Sequence, residues 1–237
     1  MTRRLCAVAW LLSAVAAFAE PAVRRVVSTV PACTEMLFAI GAGDQVVAVT
    51  DYCRYPAEAA RREKVGGYSD LSFEKLLSLR PDLVVIADYA HRLRAQCASA
   101  RLSVLELKTG SISEIIAAIE TLGRATGHEQ RARAVVESIR ADLEKTRAIN
   151  AGKPPRRALL VIGRPLGSFQ QLLGAGPGSF LSELLALAGG DNVLDDARQA
   201  WPQINLEAVL ARKPQERLGA LYQHPSRCQW SHPLVDQ

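Results

Sequence analysis

Tyr68-Ser-Asp-Leu71-Ser-Phe-Glu74-Lys-Leu76-Leu77-Ser-Leu-Arg80-Pro81-Asp82 returns later in the chain as Trp201-Pro-Gln-Ile204-Asn-Leu-Glu207-Ala-Val209-Leu210-Ala-Arg-Lys213-Pro214-Gln215. The offset is 133 residues at each matched position: aromatic, aliphatic, Glu, aliphatic pair, base and Pro. An earlier block repeats as well, with one residue dropped. Thr34-Glu35-Met-Leu37-Phe-Ala39-Ile-Gly41-Ala-Gly43-Asp44-Gln-Val46 resembles Ser182-Glu183-Leu-Leu185-Ala-Leu-Ala188-Gly-Gly190-Asp191-Asn-Val193. Duplicated blocks in a fixed order mark duplicated supersecondary units. Two similar halves therefore predict two similar lobes with a cleft between them.

Between the halves lies the longest helical pattern, residues 129–150. Ala132, Val135, Val136, Ile139, Leu143 and Ile149 recur there at three- and four-residue spacing among Arg, Glu and Lys. A helix of that length is a rod of roughly 33 Å. Gly152 and Pro154-Pro155 end it. Before it, Val-, Ile- and Leu-rich runs at 25–30, 45–50, 83–87 and 104–107 alternate with helical stretches at 34–40, 73–79 and 91–100. Ser111-Ile-Ser-Glu114 reads as a capping box opening another helix that runs to about residue 126. After it, a strand at 157–163 and a helix at 180–188 begin a second series. Apolar strands alternating with helices indicate parallel sheets covered on both faces. The expected fold is α/β: two Rossmann-like lobes with parallel sheets, residues 20–127 and 153–215, joined by one spine helix at 128–152. The alternative is one more crossover helix within a single sheet.

The rest of the composition is ordinary, with one exception at the start. Arg3 and Arg4 precede an apolar run from Leu5 to Phe18, which ends in Ala17-Phe18-Ala19 before Glu20-Pro21. This is the pattern of a secretory signal with cleavage after Ala19. At about 14 residues the run is too short for a membrane-spanning helix. Cleavage would leave 218 residues with 27 basic against 24 acidic side chains. A chain of +5 overall, with no long basic run, lacks the footprint of a nucleic-acid binder. Of the cysteines beyond the leader (Cys33, Cys53, Cys97 and Cys228), Cys33 and Cys53 follow neighbouring strand candidates, so their pairing would be the least strained.

The repeat also singles out side chains. Glu74 and Glu207 each sit two residues after a cap-like Ser72 or Asn205, where the helix macrodipole favours a carboxylate. At matched positions of two lobes they form two exposed acidic knobs suited to a symmetric basic partner. Tyr68 and Trp201 lie six residues before them, in loops of the kind that line the crevice of open α/β sheets.

At these residues the chain resembles a known family. Arg25-Val-Val-Ser-Thr-Val-Pro-Ala-Cys-Thr-Glu35, Asp51-Tyr-Cys-Arg-Tyr-Pro56, Gly66-Gly-Tyr-Ser69 and Trp201-Pro-Gln-Ile-Asn-Leu-Glu207 resemble the periplasmic binding proteins of vitamin B12, haem and ferric-siderophore importers, nearest to the cobalamin-binding branch. The resemblance covers roughly residues 24–215. It implies two α/β lobes bridged by one helix, a monomer in the periplasm, and delivery of a corrinoid-like ligand to an ABC permease dimer. It also implies that Glu74 and Glu207 dock on permease arginines, and that Tyr52, Tyr68, Trp201 and Phe169 surround the corrin ring. No cofactor of the protein's own is implied; the ligand itself is expected to be a metal-containing macrocycle. A flat macrocycle suits such a site, because aromatic side chains can sandwich its apolar faces. A haem ligand would make Tyr68 an axial phenolate, but Asp70 stands where the haem branch has Arg.

Departures from the family pattern concern the end of the chain. Pro81-Asp82 leads into an apolar run, whereas Pro214-Gln215 is followed by Glu-Arg-Leu-Gly-Ala. The second lobe is therefore expected to be incomplete, with residues 216–237 as a tail unlike the family. His224, Cys228 and His232 in that tail have zinc-like spacing, but Pro225 and Pro233 argue against a helix that would align them, so no metal site is expected. Gly174-Ala-Gly176-Pro-Gly178 lacks the Lys of a phosphate-binding loop. No catalytic order of Ser, His and Asp stands out, so the chain is not expected to be an enzyme. The alternatives of another class are a macrocycle-processing enzyme such as a chelatase and a non-functional truncated remnant.

Overall fold

Val26 and Val27 are adjacent and both fully buried, yet they belong to different apolar clusters. Successive strand side chains point to opposite faces, so this strand is covered on both sides. It is β1 (Val26–Ser28) in a computed structural model that describes residues 23–163 and 171–219. With β2 (Val46–Val49), β3 (Glu63–Lys64), β4 (Leu83–Ala87) and β5 (Val104–Leu107) it forms a five-stranded sheet in the order β3-β2-β1-β4-β5. Every pairing in this sheet is parallel. One face is covered by α1 (Pro31–Ala39) and α5 (Ile112–Thr126), through Leu37, Ile119 and Leu122. The other is covered by α3 (Phe73–Ser78) and α4 (His91–Ser99), through Leu76, Leu93 and Cys97. A short α2 (Ala57–Ala60) lies between β2 and β3. The capping box at Ser111 and Glu114 forms as the sequence suggests, and Gly127 ends α5 in the left-handed conformation.

The spine is α6 (Glu129–Asn150), 22 residues long. Its buried residues, Ala132 and Val136, join the core of the first lobe. The second lobe follows: β6 (Arg156–Gly163), β7 (Leu172–Gly174), α7 (Phe180–Leu187), β8 (Gly190–Asn192), β9 (Gln203–Ile204), α8 (Leu206–Arg212) and β10 (Glu216–Gly219). Its sheet runs β10-β6-β7-β9, with β8 also on β6. The expectation of parallel sheets needs correction here. β10 and β8 are parallel to β6, but β7 is antiparallel to both β6 and β9, so the second sheet is mixed. The chain between β6 and β7 is too short for the helical crossover that a parallel neighbour requires.

The internal repeat extends to single hydrogen bonds. Asp82 N–H donates to Arg25 O at 2.9 Å, and Gln215 N–H donates to Arg157 O at 2.8 Å. The Arg25 guanidinium donates to Leu79 O at 2.7 Å, and that of Arg157 to Arg212 O at 2.8 Å. Arg80 and Lys213 both have φ of 46°, and Gly41 and Gly189 both have φ of 84°. Ser72 and Asn205 cap α3 and α8 through Lys75 N–H and Ala208 N–H. Equivalence also decides where the second lobe runs. Glu216–Gly219 pairs with β6 as Leu83–Ala87 pairs with β1, so a strand occupies the start of the segment expected to be a tail. The two strands differ in cover. β4 is buried throughout and flanked by β5, while β10 is half exposed and has no second neighbour among the described residues.

The expected Cys33–Cys53 bond is not made. Cys33, Cys53 and Cys97 are buried free thiols, and Cys53 Sγ instead lies 3.2 Å from the hydroxyls of both Thr34 and Thr50.

Candidate ligand cleft

The first sheet places the site. The chain leaves β1 toward β2 and β3 on one side and then returns to β4 and β5 on the other, so its direction reverses between β1 and β4. Outside the carboxyl ends of strands, such a reversal opens a crevice that helices do not cover. A cavity of about 440 Å³ lies there. It is lined by Thr29 and Val30 after β1, Thr50 after β2 and Ala87 at the end of β4, together with Tyr68 and Tyr89.

Two of the expected aromatic residues meet beside this cavity. The rings of Tyr52 and Tyr68 stack with centroids 4.9 Å apart and an interplanar angle of 20°. Both remain open to solvent, at 40% and 55% exposure. Their loops are tied together by Asp51 N–H donating to Gly66 O at 3.1 Å. Asp70 shapes the second loop: its Oδ1 accepts from Gly67 N–H at 3.0 Å. Asp70 is thus a loop-closing carboxylate. Gly67 lies close under the stack: a Cβ there would lie 2.7 Å from Asp70 Oδ1 and 3.1 Å from the Tyr52 ring, so a larger residue would press the Asp70 carboxylate and the ring aside. The Tyr52 loop is held from below by Lys64, whose Nζ donates to Cys53 O at 3.0 Å and Thr50 O at 3.4 Å. Burial lowers the Lys64 pKa, against the opposing pull of Cys53 and Asp51.

Tyr89 completes the cluster and was not singled out from the sequence. Its phenol shares a hydrogen bond with Tyr68, and burial pushes its pKa up despite that bond. The available signal was position: Tyr89 follows the carboxyl end of a strand next to the reversal point. Beyond it the wall continues along α4 through His91, Arg92 and Gln96.

The other expected residues lie elsewhere. Trp201 is in the second lobe, half-buried, and meets Phe180 edge to face at 6.2 Å; it does not line the first-lobe cavity. Glu74 and Glu207 occupy the first turns of α3 and α8, both exposed and without an ion pair among the described residues. Phe169, the leader and the His224–Cys228–His232 triplet lie outside the described residues. Among the described residues no cluster of His, Cys, Asp or Glu is arranged to hold a metal ion.

The lobes meet through hydrogen bonds that involve both backbone and side-chain groups. Phe180 N–H donates to Gly110 O at 2.6 Å, and Ile112 N–H donates to Glu183 Oε2 at 2.9 Å. Glu183 therefore satisfies an orphan donor in the first turn of α5 from across the lobe boundary. Asn150 at the end of α6 adds a bond from its Nδ2 to Leu187 O at 3.3 Å.

This architecture is shared with known proteins. The family model described as periplasmic binding protein matches residues 26–217. The vitamin B12-binding protein of Yersinia pestis (strain Pestoides F) is 31% identical over 211 residues, covering 88% of this chain and 74% of that one. The crystal structure of the periplasmic vitamin B12 binding protein of Vibrio cholerae superposes with a TM-score of 0.73 at 28% identity, covering 84% of this chain and 76% of that one. A periplasmic heme binding protein from Pseudomonas aeruginosa gives a TM-score of 0.75 at 25% identity, over 86% and 74% of the two chains. The duplicated α/β lobes, the spine helix and the crevice at the strand reversal are thus those of a substrate-binding protein, and the chain belongs to the periplasmic binding protein family.

Proposed function

We propose that the protein is the ligand-capturing component of an ABC importer and holds a cobalamin-like corrinoid between its lobes. The stacked Tyr52–Tyr68 pair beside a partly apolar crevice carries this reading. Exposed aromatic rings at a cavity mouth offer a platform for a flat macrocycle, and aromatic contacts of this kind contribute about 0.5–1.5 kcal/mol beyond burial. In this reading Trp201, packed against Phe180, contributes the second lobe's aromatic contact, and Phe169 is expected to join it. Relatives named for vitamin B12 and the Trp201-Pro-Gln sequence favour a corrinoid over haem or a ferric siderophore. Glu74 and Glu207, free and exposed on equivalent helices, present the loaded protein to a permease dimer. In this account the leader ends at Ala19, and the exported chain acts as a monomer without enzymatic activity.

Titration of the folded protein with cobalamin, followed by tryptophan fluorescence, tests the proposal. Saturable quenching at ligand concentrations on the order of micromolar supports it. A flat response, with haem quenching instead, transfers the site to the haem reading, and no response to either macrocycle refutes it.

A further inference from the structure

We infer that the ligand carries an anionic substituent, a carboxylate or a phosphodiester, that seats against Arg92 on the α4 wall of the first-lobe crevice. This rests on the cavity beside Tyr68 being the ligand seat. The residues around that cavity have a one-sided polarity. Thr29, Thr50, Tyr68, Ser69 and Tyr89 bring hydroxyl groups, Arg92 brings a permanent positive charge with His91 beside it, and no Asp or Glu lines it among the described residues. Two of the nearby carboxylates are engaged elsewhere, and a third, Asp88, lies beside Tyr89 without lining the cavity. Asp70 accepts from Gly67 N–H, and Glu106 is paired with Arg94, the neighbouring cation of the same helix, at 3.1 Å. Arg92 has no ion pair or hydrogen-bond partner among the described residues, whereas Arg94 two positions on is neutralised. A guanidinium left unpaired at the wall of a partly apolar cavity pairs well with carboxylate or phosphate, because its fork of N–H donors matches both geometries and charge-assisted bonds are the stronger kind. The neutral faces of the macrocycle then meet the tyrosines, and its charged edge meets α4. Arg92 acts as a specificity-determining residue of the cleft.

A pair of fluorescent probes separates this inference from the identity of the macrocycle. Anilinonaphthalene sulfonate is anionic, and phenylnaphthylamine is its neutral counterpart with similar rings. The full-length protein is expected to bind the sulfonate more tightly, with a preference that declines as salt rises. Arg92→Gln should weaken the sulfonate about tenfold and leave the neutral probe unchanged, while Arg92→Lys should restore most of the loss. Tyr68→Ala should weaken both probes, which locates them in the crevice. An Arg92→Gln variant that binds both probes as the parent does, or loses both equally, overturns the inference. Repeating the comparison with cobalamin, with cobinamide lacking the nucleotide phosphate, and with haem identifies the anion. Loss confined to cobalamin assigns the phosphodiester, and loss confined to haem assigns the carboxylates. Failure of all three macrocycles to bind the parent protein refutes the proposed function, and the probe pair still decides the role of Arg92.

Discussion

Arg25 and Arg157 show at the level of single side chains why the two halves fold alike. Each guanidinium reaches the carbonyl that ends its lobe's Glu-bearing helix, and the same carboxamide or carboxylate accepts its backbone N–H. Duplicated side chains at duplicated spacings thus reproduce duplicated hydrogen bonds, and this level was legible as aligned residues. Tyr89 and Glu183 were not legible as site or lobe-contact residues, because each acts through a partner distant in sequence. Glu183 was seen only as the counterpart of Glu35, yet its carboxylate caps a helix of the other lobe. Cys33 supplies a titration test at this scale. Burial, aided by nearby Cys53, pushes its thiol from 9.0 to about 12. The folded state then holds its proton after the unfolded chain has lost it, so stability present below pH 9.0 is lost as pH rises toward about 12. Three pH units of differential ionisation correspond to about 4 kcal/mol. Urea denaturation of the reduced protein should show this alkaline loss, and Cys33→Ser should remove most of it; equal pH profiles for the two would refute the assignment.

Among the elements, four strands of the first sheet and the helices longer than one turn were legible, since apolar strands and amphipathic or capped helices carry strong local signals, whereas the two-residue edge strand β3 carries none. The second sheet was less so. β7 and β9 are three and two residues long, too short to leave a period, and β7 pairs antiparallel with both β6 and β9. β10 was missed because Glu216-Arg-Leu-Gly is polar for a strand; it follows Pro214-Gln215 at the same spacing as β4 follows Pro81-Asp82. The cap on α8 tests how far this lobe depends on local chemistry. Asn205 Oδ1 accepts from Ala208 N–H at 2.8 Å, and the helix buries only Val209. Asn205→Ala should therefore cost about 1 kcal/mol in urea denaturation, and Asn205→Asp should recover it. Unchanged stability in the alanine variant would mean that α8 is held by packing alone.

At the scale of the whole molecule, the cleft is built unequally. Among the described residues the first lobe has two apolar clusters, one on each face of its sheet, and the second has one smaller cluster around Leu159, Leu194 and Val209. A well-packed lobe carrying the described crevice faces a lighter lobe, and the two touch through Glu183, Phe180 and Asn150. The proposed docking role of Glu74 and Glu207 belongs to this scale, since it needs one carboxylate from each lobe. Glu74→Ala combined with Glu207→Ala should leave corrinoid affinity unchanged and lower permease-dependent uptake in cells by at least about tenfold, as expected when a matched charge pair is lost from each lobe. Undiminished uptake by the double variant would contradict the docking role. Hydrogen–deuterium exchange with and without cobalamin tests the central claim most directly. The account predicts slower exchange on ligand addition in the loops at 50–54, 66–72 and 87–93, which hold Tyr52, Tyr68 and Tyr89 around the crevice. Protection that leaves these three loops unchanged and falls elsewhere, or no protection at saturating ligand, would contradict it.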